Sequence, residues 1–243
     1  MKIHRFIDQN FNLDQPRLVV TNPEIINQWK NVLRLTVGEK LILGDGGGYE
    51  ATATLLKLTP DEAEVEIGEK VLNKNEPALN HSVGQAKQVT LYGAILKKEN
   101  FELVVQKAVE VGVAKIVPIT TDRTVKQNLN FERLAKIAKE AAEQSGRGVI
   151  PAIEPIAEFK AATAMAVAAG ATFLFDLSGP VLSKTYALKP SICSIFIGPE
   201  GGFTESEVAL AKQAGATIAS LGPLTLRGET AAIIASYLAV NGL

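Results

Sequence analysis

The stretch SIFIGPEGGFTESEV (194–208) decides the fold. Ser194 to Ile197 is a short apolar run of the kind that forms a strand buried on both faces. Thr204 followed three residues later by Glu207 is a capping box, so a helix starts there. Between them lie Gly198-Pro199-Glu200-Gly201-Gly202, whose adjacent glycines let a backbone approach a ligand closely. Strand, glycine loop and helix in that order are the unit of an α/β sheet.

The same order repeats to either side. QVTLYGAIL (88–96), KIVPIT (115–120), TFLFD (172–176) and TIASLG (217–222) read as strands. Helices are expected over about 99–111, 130–145, 158–169 and 229–240. The first buries Phe101, Val104, Val105, Ala108 and Val109, and the second Phe131, Leu134, Ala138, Ala141 and Ala142. Alternating strands and helices imply a mainly parallel sheet covered on both faces. This domain is expected to span 88–243.

Upstream the pattern changes. RLVV (17–20), EKLILGD (39–45), YEATATLLKL (49–58) and EAEVEIGEKV (62–71) are strands separated by turn residues. Ala63, Val65 and Ile67 alternate with Glu62, Glu64 and Glu66, the period of a strand with one wet face. Gly44-Asp45-Gly46-Gly47-Gly48 is followed by a strand rather than a helix, so it reads as a hairpin turn and not as a phosphate-binding loop. An antiparallel β-barrel over 1–72 is the expectation, with the polar stretch 73–87 as a linker. Overall this is an α+β chain of two domains.

Composition narrows the chemistry. The 243 residues are 47% hydrophobic and 21% charged, with a formal net charge of −1. That is a globular chain without the coat of positive charge of a general nucleic-acid binder. One cysteine (Cys193) excludes an internal disulfide, and with only His4 and His81 a Cys/His zinc site is excluded too. No apolar run reaches membrane-span length and the N-terminus lacks a signal peptide, which reads as a cytoplasmic protein.

Ligands of open α/β sheets sit beyond the carboxyl ends of the strands. Three loops leave such ends: 176–180, 198–202 and 221–230. None is a P-loop, because no Gly-Lys-Ser/Thr follows. Nor is there a dinucleotide fingerprint, since the third glycine and the ribose-binding acid are missing. A nucleoside-like ligand held by backbone amides and carbonyls fits such loops. Segment 97–147 carries ten Lys or Arg against seven Asp or Glu, a local excess compatible with phosphate contacts.

These motifs together resemble a known family. Lys97-Lys98 with Phe101-Glu102, Gln106-Lys107-Ala108-Val109-Glu110-Val111-Gly112-Val113, Glu143-Gln144-Ser145-Gly146-Arg147, Gly198-Pro199-Glu200-Gly201-Gly202-Phe203, and Leu221-Gly222-Pro223 with Leu226-Arg227 and Glu229-Thr230 look like the RsmE family. The N-terminal His4-Arg5-Phe6 and Val32-Leu33-Arg34-Leu35 fit it as well. These are ribosomal RNA methyltransferases of the SPOUT class. The resemblance implies a PUA-like β-barrel, a C-terminal trefoil knot and a homodimer. It also implies S-adenosylmethionine-dependent methylation of N3 of uridine 1498 in the 16S rRNA of the small subunit, with no DNA, membrane or metal.

By the same resemblance the cofactor is held by Phe175, Asp176 and Leu177, by Ile197, Gly198, Pro199, Glu200, Gly201 and Gly202, and by Leu221, Gly222, Leu224, Leu226 and Arg227. Arg227 is expected to stabilise charge in the reaction and Glu229 to accept a proton. Arg5, Arg34, Arg123, Glu143 and Arg147 are expected on the RNA side. The chain departs from the family pattern in three places: Leu224 stands where Arg is common, Gly228 where Thr is, and near Val32-Leu33-Arg34, where a His is common, it has Asn27, Gln28 and Trp29. The competing readings are a SPOUT enzyme with another rRNA or tRNA target and a non-catalytic RNA-binding dimer.

Overall fold

A computed structural model describes residues 3–77, 87–97, 99–125, 128–182 and 191–242. The chain forms two compact units, Met1–Glu76 with Ala142–Ile150, and Pro77–Ala141 with Pro151–Leu243.

The first unit is built on β1 (His4–Ile7), β2 (Arg17–Val20), β3 (Lys40–Gly44), β4 (Tyr49–Leu58) and β5 (Ala63–Leu72), ordered β1-β3-β4-β5-β2. The sheet is antiparallel except that β1 runs parallel to β3. That pairing was not foreseen, because β1 is four residues long and carries no alternation to announce it. Nor does β1 pair with β2 among the described residues, so the expected closed barrel is here a five-stranded sheet.

Between β2 and β3 lies α1 (Pro23–Asn27), capped by the Asn22 side chain, which accepts from the Glu24 amide at 3.0 Å. It runs into one π-type turn, Gln28–Val32. Trp29 in that turn is fully buried, its ring centroid 5.2 Å from that of Phe6. Leu41, Leu43, Leu55, Ala63 and Val65 complete the core. The glycine run 44–48 is the β3–β4 hairpin turn, with Asp45 Oδ1 accepting from the Gly47 and Tyr49 amides at 2.8 and 3.1 Å.

The expected linker is in part something else. Asn73 and Glu76 are buried and belong to the first unit. Residues 78–86 of that segment, including His81, lie outside the described residues.

The second unit follows the expected alternation. Its strands are β6 (Gln88–Ala94), β7 (Lys115–Thr120), β8 (Ala152–Ile153), β9 (Ala157–Glu158), β10 (Ala171–Phe175), β11 (Ile192–Ile197) and β12 (Thr217–Ala219). Its helices are α2 (Asn100–Val111), α3 (Phe131–Ser145), α4 (Phe159–Ala169), α5 (Glu205–Ala214) and α6 (Gly228–Asn241), with the end of α3 counted in the first unit. Every strand pair is parallel, in the order β12-β10-β11-β6-β7-β8, and β9 also pairs with β7.

Helices α2 and α6 pack together, with α6 on β6 and β11, while α4 and α5 pack together with α4 on β10 and β11. Phe159, Ala162 and Ala166 of α4 meet Leu174 and Phe196, and Phe196 stacks on Tyr92 at 4.4 Å. Phe131 is not buried as expected but 38% exposed, because the packed stripe of α3 begins one turn later at Leu134. Among the described residues no helix is long and apolar enough to cross a membrane.

Cys193 on β11 is buried, and burial pushes its thiol up to about 11 against the opposing pull of the Lys87 charge. The thiol therefore stays protonated well above neutral pH, and the thiolate is the reactive form. A disulfide reagent at pH 8 is expected to leave the native protein unmodified and to titrate one thiol after denaturation.

Candidate active site

Register builds the site. Phe175 at the end of β10 is paired with Ile197 at the end of β11 and with Ala219 at the end of β12. The three loops that follow therefore leave the sheet side by side. The Asp176 amide donates to the Ala219 carbonyl at 2.9 Å, and the Ser220 amide to the Pro180 carbonyl at 2.8 Å. Asp176 Oδ1 closes its own turn, accepting from the Ser178 amide at 2.9 Å and from Ser178 Oγ at 2.6 Å. At Gly179 a Cβ would lie 2.8 to 2.9 Å from backbone atoms of Ala219, so only glycine permits this crossing of two loops.

The loops enclose a cavity of about 290 Å³. Its wall contains every residue expected to hold the cofactor except Arg227. Apolar surface comes from Phe175, Leu177, Ile197, Leu224 and Leu226, and backbone from the glycines. The acidic groups are Asp176 and Glu200, and Glu200 Oε1 accepts from the Lys97 amide at 2.8 Å. Sequence reasoning missed Phe203, Ser220, Thr225, Gly228 and Ala231 as wall residues. Phe203 was legible as the residue closing the glycine loop; Ser220 was hidden as a strand end.

Arg227 is the N-cap of α6 and is exposed, with Leu226 and Gly228 on either side of it in the wall. Its side chain lies beside the cavity and not in the wall. Glu229 sits half-buried in the first turn of α6. Neither side chain has a hydrogen-bond or ion-pair partner among the described residues. At Gly228, which departs from the family pattern, a Cβ would lie 2.8 Å from Cδ2 of the buried Leu96, whose side-chain end would have to shift to admit it. Leu224, another departure, is 75% exposed at the cavity.

The residues expected on the RNA side do not form one group. Arg147 is only 4% exposed and is a buried structural cation. Its Nη2 donates to Glu76 Oε1 at 2.6 Å and its Nε to Glu76 Oε2 at 3.2 Å. Glu143 Oε1 accepts from the Ile7 amide at 2.9 Å. Arg5 is paired with Glu50, both largely buried, and Glu50 also accepts from Asn73 at 2.8 Å. All three have partners within the first unit, and for Arg147 the pairing is what lets its charge be buried. Arg123 belongs to the cavity wall, its Nη1 donating to the Gly201 carbonyl at 2.6 Å. Arg34 is exposed, and is the one described non-glycine residue at positive φ, +55°.

A cavity lined by loop backbone at the carboxyl ends of parallel strands, joined to a small β unit, is the architecture of a two-domain RNA methyltransferase. The chain matches the RNA methyltransferase domain over residues 84–240 and the RNA methyltransferase PUA domain over residues 30–68. It is 30% identical to the ribosomal RNA small subunit methyltransferase E of Rickettsia conorii, over 97% of this chain and 94% of that one. Among solved structures, that of a ribosomal RNA small subunit methyltransferase E from Neisseria gonorrhoeae bound to S-adenosyl methionine superposes with a TM-score of 0.85. The two chains are 28% identical, with 97% of this chain and 95% of that one covered. A putative methyltransferase from Legionella pneumophila in complex with the same cofactor gives 0.83 at 29% identity, covering 97% and 96%. The chain belongs to the ribosomal RNA small subunit methyltransferase E family.

Proposed function

We propose that this chain transfers a methyl group from S-adenosylmethionine to N3 of uridine 1498 in the 16S rRNA of the small ribosomal subunit, in the cytoplasm. The observation that carries the reading is the cavity where the loops after β10, β11 and β12 converge. Its residues fit the cofactor chemically. Leu177, Leu224 and Leu226 offer apolar faces to an adenine, the glycine-bearing loops offer amides and carbonyls, and Asp176 and Glu200 complement a sulfonium. When bound, the cofactor supplies an electrophilic methyl group.

The protein's part is to position and desolvate the reacting atoms. Arg227, without a hydrogen-bond or ion-pair partner among the described residues, meets the incoming uracil and stabilises its negative charge, and Glu229 accepts the N3 proton. The second unit carries this chemistry and the first binds RNA. Two finer features belong to the same proposal. A homodimer is supported by the exposed apolar side chains of Leu177, Val181, Leu224, Ile234 and Tyr237. A trefoil knot is what the resemblance to the SPOUT class implies.

On the RNA side the reading keeps Arg34, which is exposed. Its left-handed conformation ends the helical turn before it, where the Leu33 and Leu35 amides donate to the Gln28 and Trp29 carbonyls at 2.9 Å; an exposed arginine holds it there at a cost of about 1–2 kcal/mol that a glycine would avoid. Arg34→Gly is expected to raise stability by about 1 kcal/mol in urea denaturation while weakening RNA binding and its salt dependence. A gain in stability with RNA affinity unchanged would remove Arg34 from the RNA surface.

The proposal as a whole is tested by transfer of labelled methyl from S-adenosylmethionine into undermethylated small subunits, with naked 16S rRNA and tRNA in parallel. N3-methyluridine at position 1498, identified by mass spectrometry, is the expected product. Label in tRNA or at another nucleotide would replace the target. No transfer together with no cofactor binding would leave a non-catalytic RNA-binding protein.

A further inference from the structure

We propose that Arg123 is a positioning residue for the cofactor, its guanidinium holding the 201–203 loop in the binding shape; this rests on reading the cavity as the S-adenosylmethionine site. Arg123 lies in the turn after β7. Its Nη1 donates to the Gly201 carbonyl at 2.6 Å and to the Phe203 carbonyl at 3.3 Å. The aliphatic stem covers the same glycine: a Cβ on Gly201 would lie 3.2 Å from Cδ and 3.4 Å from Cβ of Arg123. One side chain thus bonds the loop and closes over it.

The turn that presents Arg123 is itself fixed to the far end of the same loop. The Thr121 amide donates to Thr124 Oγ1 at 2.9 Å, closing the turn. The Asp122 amide donates to Glu207 Oε1 at 2.9 Å, and Thr204 Oγ1 donates to Asp122 Oδ2 at 3.2 Å. Thr204 and Glu207 form the capping box of α5, where the loop ends. The turn therefore grips the loop at two places, through Asp122 at the helix and through Arg123 at the glycines. Gly202 sits between the gripped carbonyls at φ +70°, where its amide also closes a turn onto the Pro199 carbonyl at 2.8 Å.

A guanidinium suits this task because its planar fork stays charged and directs several donors at once, whereas an ammonium reaches as a single point. Hydrogen bonds from a charged donor are the stronger kind.

Arg123→Ala and Arg123→Lys, both at an exposed position, decide the matter. With S-adenosylhomocysteine as the calorimetric probe, the alanine variant is expected to bind about tenfold more weakly and the lysine variant to recover part of the loss. In methyl transfer the KM for S-adenosylmethionine rises while kcat at saturating cofactor stays within about twofold. In unliganded protein the amides of residues 201–203 exchange faster in the alanine variant. Unchanged amide exchange would overturn the clamp. So would intact cofactor affinity with a salt slope of RNA binding reduced by about one, which would return Arg123 to the RNA contacts. Failure of the unmodified protein to bind S-adenosylhomocysteine would instead reject the cofactor site, and the exchange comparison would still decide whether Arg123 holds the loop.

Discussion

Arg147→Ala is expected to destabilise the protein by about 3–5 kcal/mol, a large share of the roughly 5–15 kcal/mol that holds a domain folded. The reason is what the substitution leaves behind. Glu76 is fully buried, and its carboxylate accepts from both Nη2 and Nε of Arg147. Its other donors are the amides of Gly148 and Val149, at 3.2 and 3.3 Å. Without the guanidinium a buried negative charge keeps, among the described residues, two long neutral hydrogen bonds. Glu76→Ala is expected to cost a similar amount from the other side, whereas Glu76→Leu with Arg147→Met should cost less than either single change, because no charge is stranded. Urea denaturation of the three variants measures this. A loss under 1 kcal/mol for Arg147→Ala would place the pair among surface salt bridges.

The same pair explains why the first unit takes in residues 142–150. Asn73 Nδ2 donates to the Gly146 carbonyl at 2.9 Å, and the Gly48 amide donates to the Gly148 carbonyl at 3.1 Å. With Glu76–Arg147 and Glu143–Ile7 these bonds make that segment a structural part of the sheet unit. A fragment ending at residue 76 would keep Glu76 and lack its arginine.

What the sequence made legible follows from period and punctuation. The α/β unit announced itself because buried parallel strands are short apolar runs and the Thr204–Glu207 box marks a helix start by local chemistry alone. The three loops were legible because ligands of open α/β sheets lie beyond the strand ends, but not that they are neighbours, since the register at Phe175, Ile197 and Ala219 belongs to the fold. The RNA side was not. A surface arginine and a buried one have the same letter, and only the fold brings Glu76 to Arg147, Glu50 to Arg5 and the Gly201 carbonyl to Arg123. The parallel β1–β3 pair was illegible for a similar reason, since four residues carry too little pattern to specify a partner.

Arg227→Ala is expected to lower kcat by about 10²–10³-fold, some 2.7–4 kcal/mol of transition-state stabilisation, with cofactor affinity unchanged within about twofold. Uracil N3 is protonated at neutral pH and presents a lone pair to a methyl donor only as the imide anion. A group that meets this anion acts on the reaction and not on the resting cofactor, so its loss belongs in kcat. The placement of Arg227 fits that division: exposed at the N-cap of α6, outside the cavity wall, between Leu226 and Gly228 which are inside it. The first turn of α6 adds the partial positive charge of its free amides. Arg227→Lys keeps the charge without the fork and is expected to fall between wild type and alanine. Glu229→Gln separates the proton acceptor from the charge stabiliser: if Glu229 takes the N3 proton, the glutamine variant loses rate most where the uracil is neutral and regains it as pH rises toward ionisation of N3. A glutamine variant whose pH–rate profile keeps its shape would reduce Glu229 to an acid stabilising the first turn of α6. A fall in cofactor affinity matching the fall in kcat would move Arg227 from charge stabilisation to cofactor binding.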